Sequence, residues 1–348
     1  MSPKISIAMG TYNGAKYIQE QLESFARQTY QPFELVVCDD GSTDDTLKII
    51  GEFAESANFP VHIHRNEENL GFANNFMKCA SLCKGDWIAF SDQDDVWFPE
   101  KFAKVVGRIE QPSSDKLVLV CHSADMVDEE LKSMGQRTPN FPRDETKGIG
   151  EHSGFLCIAG FTITFKATLL AEIDSSLRPG DYYAPGQKWQ SHDKWIAMLA
   201  NALGEVAYIS ESLAQYRRHA SAVTDSHKNP SAIGRVRKAS LVGAGFYQFQ
   251  ADSAKDCASS FRNIASSMTA PENRQKLLAA ACQYDKLSEI CEIRSRLYGQ
   301  DAKFSRLRLV VCLVTSSGYW GSRFYSLGTL SFFKDFAFSI GLLDNQTA

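Results

Sequence analysis

The chain has 348 residues and a formal net charge of −4, with 44% hydrophobic and 22% charged residues. These values are typical of a globular protein and exclude wholesale disorder, collagen and coiled coil. The length suits two domains, or one large domain with an appended piece. The slightly negative charge argues against a general nucleic-acid binder, because such a protein needs an excess of cations. Nine cysteines without framework spacing favour free thiols and a cytoplasmic location.

Membrane and targeting signals are weak in this sequence. The first residues lack the long apolar run of a signal peptide. No stretch reaches the roughly 18 uncharged apolar residues that a bilayer-spanning helix needs. The nearest candidate is 309–322, which follows three basic residues and precedes an aromatic tail. Two interpretations stay open, a C-terminal helix packed on the core and a peripheral contact with the inner face of the cytoplasmic membrane.

Strand-like apolar runs alternate with helical patterns over the first 120 residues. The predicted elements are a strand at 5–9, a helix at 15–28, a strand at 33–38, a helix from about 43, a strand at 61–64, a helix at 74–83, a strand at 86–91 and a helix at 99–109. This alternation predicts an α/β fold in which parallel strands are joined by right-handed crossovers. We therefore expect a Rossmann-like mixed, mostly parallel sheet with helices on both faces.

The pattern loosens after residue 116 and becomes mostly helical after about residue 230. The predicted elements are strands at 117–121 and 155–165, a loop or lid at 137–154, a helix at 191–203 and a strand within 206–217. Thr269 and Glu272 have the spacing of a capping box, which predicts a long helix reaching about Leu297. We place a domain boundary near residue 228, with a catalytic domain at 1–228 and a helical region at 229–348. The sequence does not predict the oligomeric state.

Three predicted strands end in polar clusters. They are Thr11-Tyr12-Asn13, Asp39-Asp40 and the run from Asp92 to Asp95. Because ligands in such sheets gather outside the carboxyl ends of the strands, we expect these clusters to converge on one edge.

The acidic run from Asp92 to Asp95 predicts a metal site. Three carboxylates within four residues repel one another unless a cation is present. Oxygen ligands on an irregular loop suit Mg²⁺ or Mn²⁺, which often completes its shell with phosphate oxygens. The alternative is an acidic turn that caps the helix at Pro99. The chain has no glycine-rich phosphate loop of the P-loop or dinucleotide-binding kind, so phosphates would be held by metal, cationic side chains or loop amides.

These motifs, together with others further along the chain, resemble a known family. The motifs that carry the resemblance are Ile5–Asn13, Glu34–Asp44, Asn69–Gly71 with Asn75, Ser91–Trp97, Gly160–Phe165, His192–Trp195 and Tyr216–His219. In order and spacing they are similar to family 2 glycosyltransferases with the GT-A fold, over about residues 4–224. The Ser91–Trp97 variant is similar to that of bacterial rhamnosyltransferase-like members, which build surface polysaccharides.

The resemblance implies a role for each matching position. The positions implied to bind nucleotide are Thr11, Tyr12, Asn13, Asp40, Gly71, Asn75 and Asp92, with Tyr12 stacking on the base and Asp40 accepting its imide N–H. Asp94 would hold the metal, Asp92 would contribute there as well as toward the ribose, and His219 would complete the site. Asp193 would be the catalytic base, unless it merely caps its helix, a role that Ser191 could fill instead.

The function implied is an inverting, metal-dependent glycosyltransferase. It would move a sugar, with rhamnose a candidate, from a UDP- or dTDP-sugar to a glycan or lipid-linked acceptor in surface polysaccharide synthesis. One alternative is a sugar nucleotidyltransferase, although Gly10–Gly14 lacks the cations that a nucleoside triphosphate requires. Another is a catalytically idle glycan-binding protein with the same fold. Arg217 and Arg218 fit either a diphosphate contact or surface ion pairs.

Overall fold

The structure is a computed structural model that describes residues 2–111, 116–171, 173–182, 188–219, 243–299 and 302–343. The chain divides into two compact units. The first consists of Met1–Ile149, Leu156–Ser175 and Ser191–Ala222, and the second of Gly150–Phe155, Ser176–Gln190 and Val223–Ala348. The domain boundary predicted near residue 228 lies outside the described residues.

Four parallel strands form the centre of the first unit. They are β1 (Ile5–Thr11), β2 (Glu34–Asp39), β3 (Val61–Arg65) and β4 (Trp87–Ser91), in the order β3-β2-β1-β4. Every residue of β2 and β4 is buried, as expected for parallel strands covered on both faces. Thr11 pairs with Asp39, and Met9 pairs with Ser91. The register therefore places the carboxyl ends of β1, β2 and β4 at one edge of the sheet.

The sheet continues beyond β4 with strands of mixed direction. These are β5 (Val96–Trp97), β6 (Leu117–Val127), β7 (Ser133–Arg137), β8 (Glu145–Lys147), β9 (Ile163–Lys166) and β10 (Glu205–Arg217), in the order β4-β9-β6-β10-β5. β6 and β10 are parallel, β7 pairs with β6, and β8 pairs with β10. The predicted mixed α/β class with a parallel centre is confirmed.

Two predicted elements of this region were only partly right. The strand predicted at 155–165 is limited to β9, because residues 160–162 form a 3₁₀ turn and only the following residues pair with β4 and β6. The predicted loop at 137–154 contains β8 and begins at the end of β7. β7 and β8 are short and largely polar, so neither has the alternation of apolar and polar residues from which a strand is predicted.

Helices cover both faces of the sheet. They are α1 (Ile18–Ala26), α2 (Thr46–Ser56), α3 (Phe72–Leu82), α4 (Lys101–Ile109) and α5 (His192–Leu203). Side chains of α1, α2 and α4 share one core with Ala89 of β4. The next residue, Phe90, contacts Phe76 of α3 and His192 of α5 instead. Because successive strand residues point to opposite faces, α3 and α5 cover the other side.

The second unit is mainly helical. Its helices are α6 (Ala244–Ser267), α7 (Pro271–Tyr298), α8 (Lys303–Thr315) and α9 (Gly328–Ser339). The predicted capping box was wrong in its position, because the N-cap residue of α7 is Ala270, which makes no side-chain capping bond, and Pro271 begins the helix. None of the helices in the described part of the chain has both the length and the apolar character that crossing a membrane requires.

A buried ion pair joins α7 to α9. Asp335 has no exposed surface, and its carboxylate accepts hydrogen bonds from Arg294 (2.8 Å), Tyr298 (2.7 Å) and Tyr319 (2.9 Å). The Asp335 charge raises the pKa of Arg294 against the opposing effect of burial. Each charge is thus compensated, which makes the burial tolerable.

Candidate active site at the carboxyl edge of the sheet

The loops after β1 and β4 are joined by one side-chain amide. Gln93 Nε2 donates to the carbonyl of Tyr12 (3.0 Å), and the Tyr12 N–H donates to Gln93 Oε1 (2.9 Å). Gly14 leaves room for this arrangement, because a Cβ there would lie 2.3 Å from Gln93 Oε1. We call this pair of bonds the Gln93 clamp. The clamp fixes the loop after β1, which contains Tyr12, against the loop after β4, which contains Asp92 to Asp95.

The loops after β1 and β2 are also hydrogen-bonded to each other. Asn13 Oδ1 accepts from the N–H of Thr43 (2.8 Å), and the Asn13 N–H donates to Ser42 Oγ (2.9 Å). Thr11 is buried, and its hydroxyl donates to Asp39 (3.1 Å). Tyr12, in contrast, is 52% exposed. Of the three predicted nucleotide-binding residues in this loop, Thr11 is buried, while Tyr12 and Asn13 are exposed. The side chains of Thr11 and Asn13 bond to the loop after β2.

Asp40 is buried beside the N-terminus of α3. Its Oδ1 accepts from Asn66 Nδ2 (2.8 Å) and the Leu70 N–H (2.7 Å), and its Oδ2 accepts from the Gly71 N–H (2.9 Å). A carboxylate oxygen can accept two hydrogen bonds, so Oδ2 retains capacity for one more. The structure thus positions Asp40 rigidly, and its contact with a base stays a prediction.

Gly71 and Asn75 support Asp40 from α3. Gly71 is the N-cap residue of α3 at φ +74°, a conformation that favours glycine. Asn75 is 3% exposed, its Nδ2 donates to the carbonyl of Cys38 (2.8 Å), and its Oδ1 accepts from Asn66 (2.8 Å). Asn75 therefore acts through Asn66 on the Asp40 carboxylate, a network that the sequence motif did not reveal.

The acidic loop after β4 concentrates negative charge. Burial raises the pKa of Asp92 to about 8, with further contributions from the charges of Asp94 and Asp193. Burial also raises the pKa of Asp95 well above its usual range. Asp95 Oδ1 accepts from the Arg217 N–H (3.0 Å), while its buried Oδ2 has no hydrogen-bond partner in the described part of the chain. Burial and the neighbouring carboxylates therefore make the ionised forms of Asp92 and Asp95 unfavourable.

One buried lysine lies near this loop. Lys101, in the first turn of α4, has no exposed surface, donates to the carbonyl of Phe161 (2.8 Å) and lies 3.4 Å from the centre of the Trp97 ring. Burial lowers its pKa well below the usual range, and the charges of Asp95 and Asp92 partly oppose that effect. The sequence does not predict a role for this lysine, because a lysine in an amphipathic helix is usually a surface residue.

Asp94 and His219 form the closest pair of predicted metal ligands. Asp94 Oδ2 and His219 Nε2 are hydrogen-bonded to each other at 2.9 Å. Two neighbouring ligands of an octahedral cation at about 2.1 Å from each are separated by about 3 Å, so this spacing fits two adjacent ligands. No group of three His, Cys, Asp or Glu side chains with metal-site geometry occurs among the described residues. The structure thus does not assemble Asp92, Asp94 and His219 as three ligands, and the metal role of Asp92 stays a prediction.

Arg217 supports both metal-site candidates, Asp94 and His219. Only 3% exposed, it donates Nε to the carbonyl of Asp94 (2.8 Å), Nη1 to the carbonyl of Glu129 and Nη2 to the carboxylate of Glu20. Its guanidinium also lies 4.7 Å from the centre of the Tyr17 ring, which packs on His219. Its ion pair with the half-exposed Glu20 agrees in part with the ion-pair interpretation, although Arg217 itself is buried rather than on the surface. The diphosphate contact stays a prediction.

Asp193 lies in the first turn of α5, where the helix dipole favours a carboxylate. Ser191 is the N-cap residue, so the alternative that Asp193 caps the helix was wrong. Asp193 Oδ1 accepts from Ser191 Oγ (2.6 Å) and the Lys194 N–H (2.8 Å), which leaves Oδ2 without a hydrogen bond in the described residues. Its charge adds to the effects of burial and of Asp94 that raise the pKa of Asp92. The adjacent His192 stacks on Phe76 at 4.0 Å and belongs to the core.

The part of the chain that contains this site is similar in sequence to known proteins. Residues 6–169 match the family described as glycosyl transferase family 2. EpsE of Bacillus subtilis (strain 168), named as a glycosyltransferase, is 38% identical over 109 residues, which is 31% of this chain and 39% of EpsE. The protein alr2836 of Nostoc sp., also named as a glycosyltransferase, is 30% identical over 221 residues, 62% of this chain and 65% of its own. The chain thus spans less than two thirds of the length of either relative.

A solved structure extends the likeness in fold. The crystal structure of S. aureus TarS 1-349 superposes with a TM-score of 0.52 at 18% identity, covering 89% of this chain and 84% of that chain. At this identity the likeness shows the fold alone.

Proposed function

Because the chain belongs to glycosyl transferase family 2, we propose that it transfers a sugar from a nucleotide-sugar donor to an acceptor hydroxyl with inversion, using Mg²⁺ or Mn²⁺. The observation that carries this proposal is the Asp94–His219 pair, set beside Asp92 and Asp193 at the carboxyl edge of the sheet. TarS has been crystallised with UDP-GlcNAc. For this chain we propose a UDP- or dTDP-sugar, with rhamnose a candidate sugar.

Each residue has a defined part in the proposed reaction. Exposed Tyr12 offers its ring to the base, and the spare acceptor site on Asp40 Oδ2 selects a base imide N–H. Asp94 and His219 would hold the cation, which neutralises charge on the departing diphosphate. Asp193 Oδ2 would take the proton of the acceptor hydroxyl as the new bond forms. We propose that the acceptor is a glycan or lipid-linked sugar of a surface polysaccharide and that the reaction is cytoplasmic.

Calorimetry with UDP and dTDP, each with and without Mn²⁺, tests the donor and metal assignments. We expect one nucleotide to bind at least about tenfold more tightly with Mn²⁺, a difference of about 1.4 kcal/mol. Asp94→Asn should remove the metal-dependent part of binding. The matched control is Asp252→Asn, which should bind as the parent does. Asp252 is an exposed residue of α6 whose carboxylate accepts a hydrogen bond from Gln248 Nε2. Equal nucleotide affinity of Asp94→Asn and the parent in Mn²⁺ would refute the metal role.

A panel of nucleotide sugars tests the catalytic role of Asp193. With the sugar that shows metal-dependent turnover, Asp193→Asn should leave donor binding intact and lower the rate by about 10²–10⁴, the usual contribution of a general base. Near-normal turnover would require another base. Pyrophosphate release from a nucleoside triphosphate and a sugar phosphate would instead identify a nucleotidyltransferase. Glycan binding without any nucleotide affinity would identify an idle binding protein.

A further inference from the structure

The two C-terminal helices carry an unusual concentration of exposed apolar side chains. Of 17 large hydrophobic residues that are exposed in the described chain, ten lie within residues 304–342. Leu330 is 87% exposed and Phe304 is 83% exposed. Exposed patches of this size usually mark an interaction site, because leaving them in water is unfavourable.

The exposed side chains form one stripe on each helix. On α8 they are Phe304, Leu307, Val311 and Val314, whose spacing of three, four and three residues places them on one face. The buried residues of α8, among them Leu309 and Leu313, lie on the opposite face.

The second stripe lies on α9 and the residues after it. It comprises Leu330, Phe333, Phe336 and Ile340, opposite the buried Phe338. Arg306 of α8 lies 4.3 Å from the centre of the Phe338 ring, so the two helices pack against each other. Trp320, 54% exposed, lies in the connection between them. We call these two stripes with Trp320 the C-terminal apolar surface.

The charges on the segment that carries this surface are mostly positive. Residues 302–343 contain five cations, Lys303, Arg306, Arg308, Arg323 and Lys334, and one acidic residue, Asp335. Asp335 is fully buried against Arg294, so the exposed charge of the segment is entirely cationic, although the chain as a whole is −4. Apolar stripes flanked by Lys and Arg are the pattern of helices that lie in the interface of an anionic bilayer.

We propose that the C-terminal apolar surface binds the interface of an anionic lipid membrane, with its apolar side chains among the acyl chains and Arg308 and Arg323 on the headgroups. This attachment does not depend on the proposed transfer reaction. It would hold the enzyme at the surface where a lipid-linked acceptor resides.

Vesicle flotation of the full chain tests this attachment. The protein should float with vesicles of equal parts phosphatidylcholine and phosphatidylglycerol, and bind vesicles of phosphatidylcholine alone more weakly. Raising the salt concentration should reduce the difference, because the headgroup attraction is screened. The double variant Leu330→Ser/Phe333→Ser should weaken binding at least about tenfold. The matched control Phe246→Ser/Leu278→Ser, which removes exposed side chains of α6 and α7, should float as the parent does.

A second measurement uses the unaltered protein. Brominated phosphatidylglycerol in the vesicles should quench the emission of Trp320, and Trp320→Phe should remove that quenching. Failure to float with either vesicle, or equal flotation of the parent and Leu330→Ser/Phe333→Ser, would overturn the proposal. A lipid-free dimer that the same double variant dissociates in sedimentation would overturn it too, since a second copy would then cover this surface.

Discussion

Arg217→Met tests whether the stability of the sheet unit depends on the hydrogen bonds that Arg217 donates to the carbonyls of the acidic loop and of Glu129. Arg217 donates to the carbonyls of Asp94 and Glu129, and a hydrogen bond from a charged donor contributes about 1.5–3 kcal/mol. Its ion pair with Glu20 adds at most about 1 kcal/mol, because the Glu20 side chain is 51% exposed. Methionine keeps part of the apolar packing on Tyr17 but leaves both carbonyls without their donor. We therefore expect the loss of the two carbonyl bonds to lower the free energy of unfolding of the sheet unit by about 3–6 kcal/mol, with at most about 1 kcal/mol more from the ion pair.

Urea unfolding followed by tryptophan fluorescence measures this loss, since Trp97 and Trp195 are buried in the same unit. Arg27→Met is the matched control, because the Arg27 side chain forms an exposed ion pair with Glu23 whose loss should cost under about 1 kcal/mol. Glu20→Gln separates the ion pair from the carbonyl bonds and should resemble the control. A cost for Arg217→Met within the range of Arg27→Met would refute the reasoning.

Three further predictions concern charge and loop geometry. Asp335→Asn should destabilise the helical unit by about 3–5 kcal/mol, because Arg294 is left buried without its counter-charge; a urea midpoint equal to that of the parent would contradict this. The stability contributed by Asp92 is present below its unfolded pKa of about 4 and lost as pH rises toward about 8. Since a cation binds the ionised form, the increase in Tm that Mn²⁺ produces should be larger at about pH 8 than at about pH 6, and an equal increase at both would argue against a cation near Asp92. Gly14→Ala should displace Gln93 and weaken Mn²⁺-dependent nucleotide binding by about tenfold, measured by calorimetry beside Gly51→Ala, whose added Cβ meets no neighbour; equal affinities would show that the clamp is dispensable.

The sequence predicted the fold best where burial on both faces of the sheet requires a continuous apolar run. β2 and β4 are buried on both faces, so each appears in the sequence as an apolar run followed by polar residues. These runs predict the strands and the points at which they end. The convergence of Asp40, Asp92 and Asp94 on one edge then follows from parallel pairing. Segment 155–165 failed because an apolar run that a 3₁₀ turn buries has the same composition as one that a strand buries.

The direction of individual polar side chains was less predictable. Asn13 and Asn75 both match family positions, yet their amides satisfy backbone groups of neighbouring loops. Arg217 and Arg218 are adjacent, and which of them faces inward depends on the register of β10. That register shifts twice between Ile209 and Gln215. The second shift, between Ser212 and Gln215, inserts a single residue relative to β6 and so changes the face on which the later residues lie.

The Gln93 clamp has a thermodynamic consequence for ligands on either side of it. Gln93 lies between Asp92 and Asp94 in the chain, and both of its amide groups are engaged by the main chain of Tyr12. A nucleobase that immobilises Tyr12 would therefore also lower the entropy of the residues that we propose as ligands of a divalent ion. Linkage then requires reciprocity, so that the ion strengthens nucleotide affinity by the same factor by which the nucleotide strengthens ion affinity.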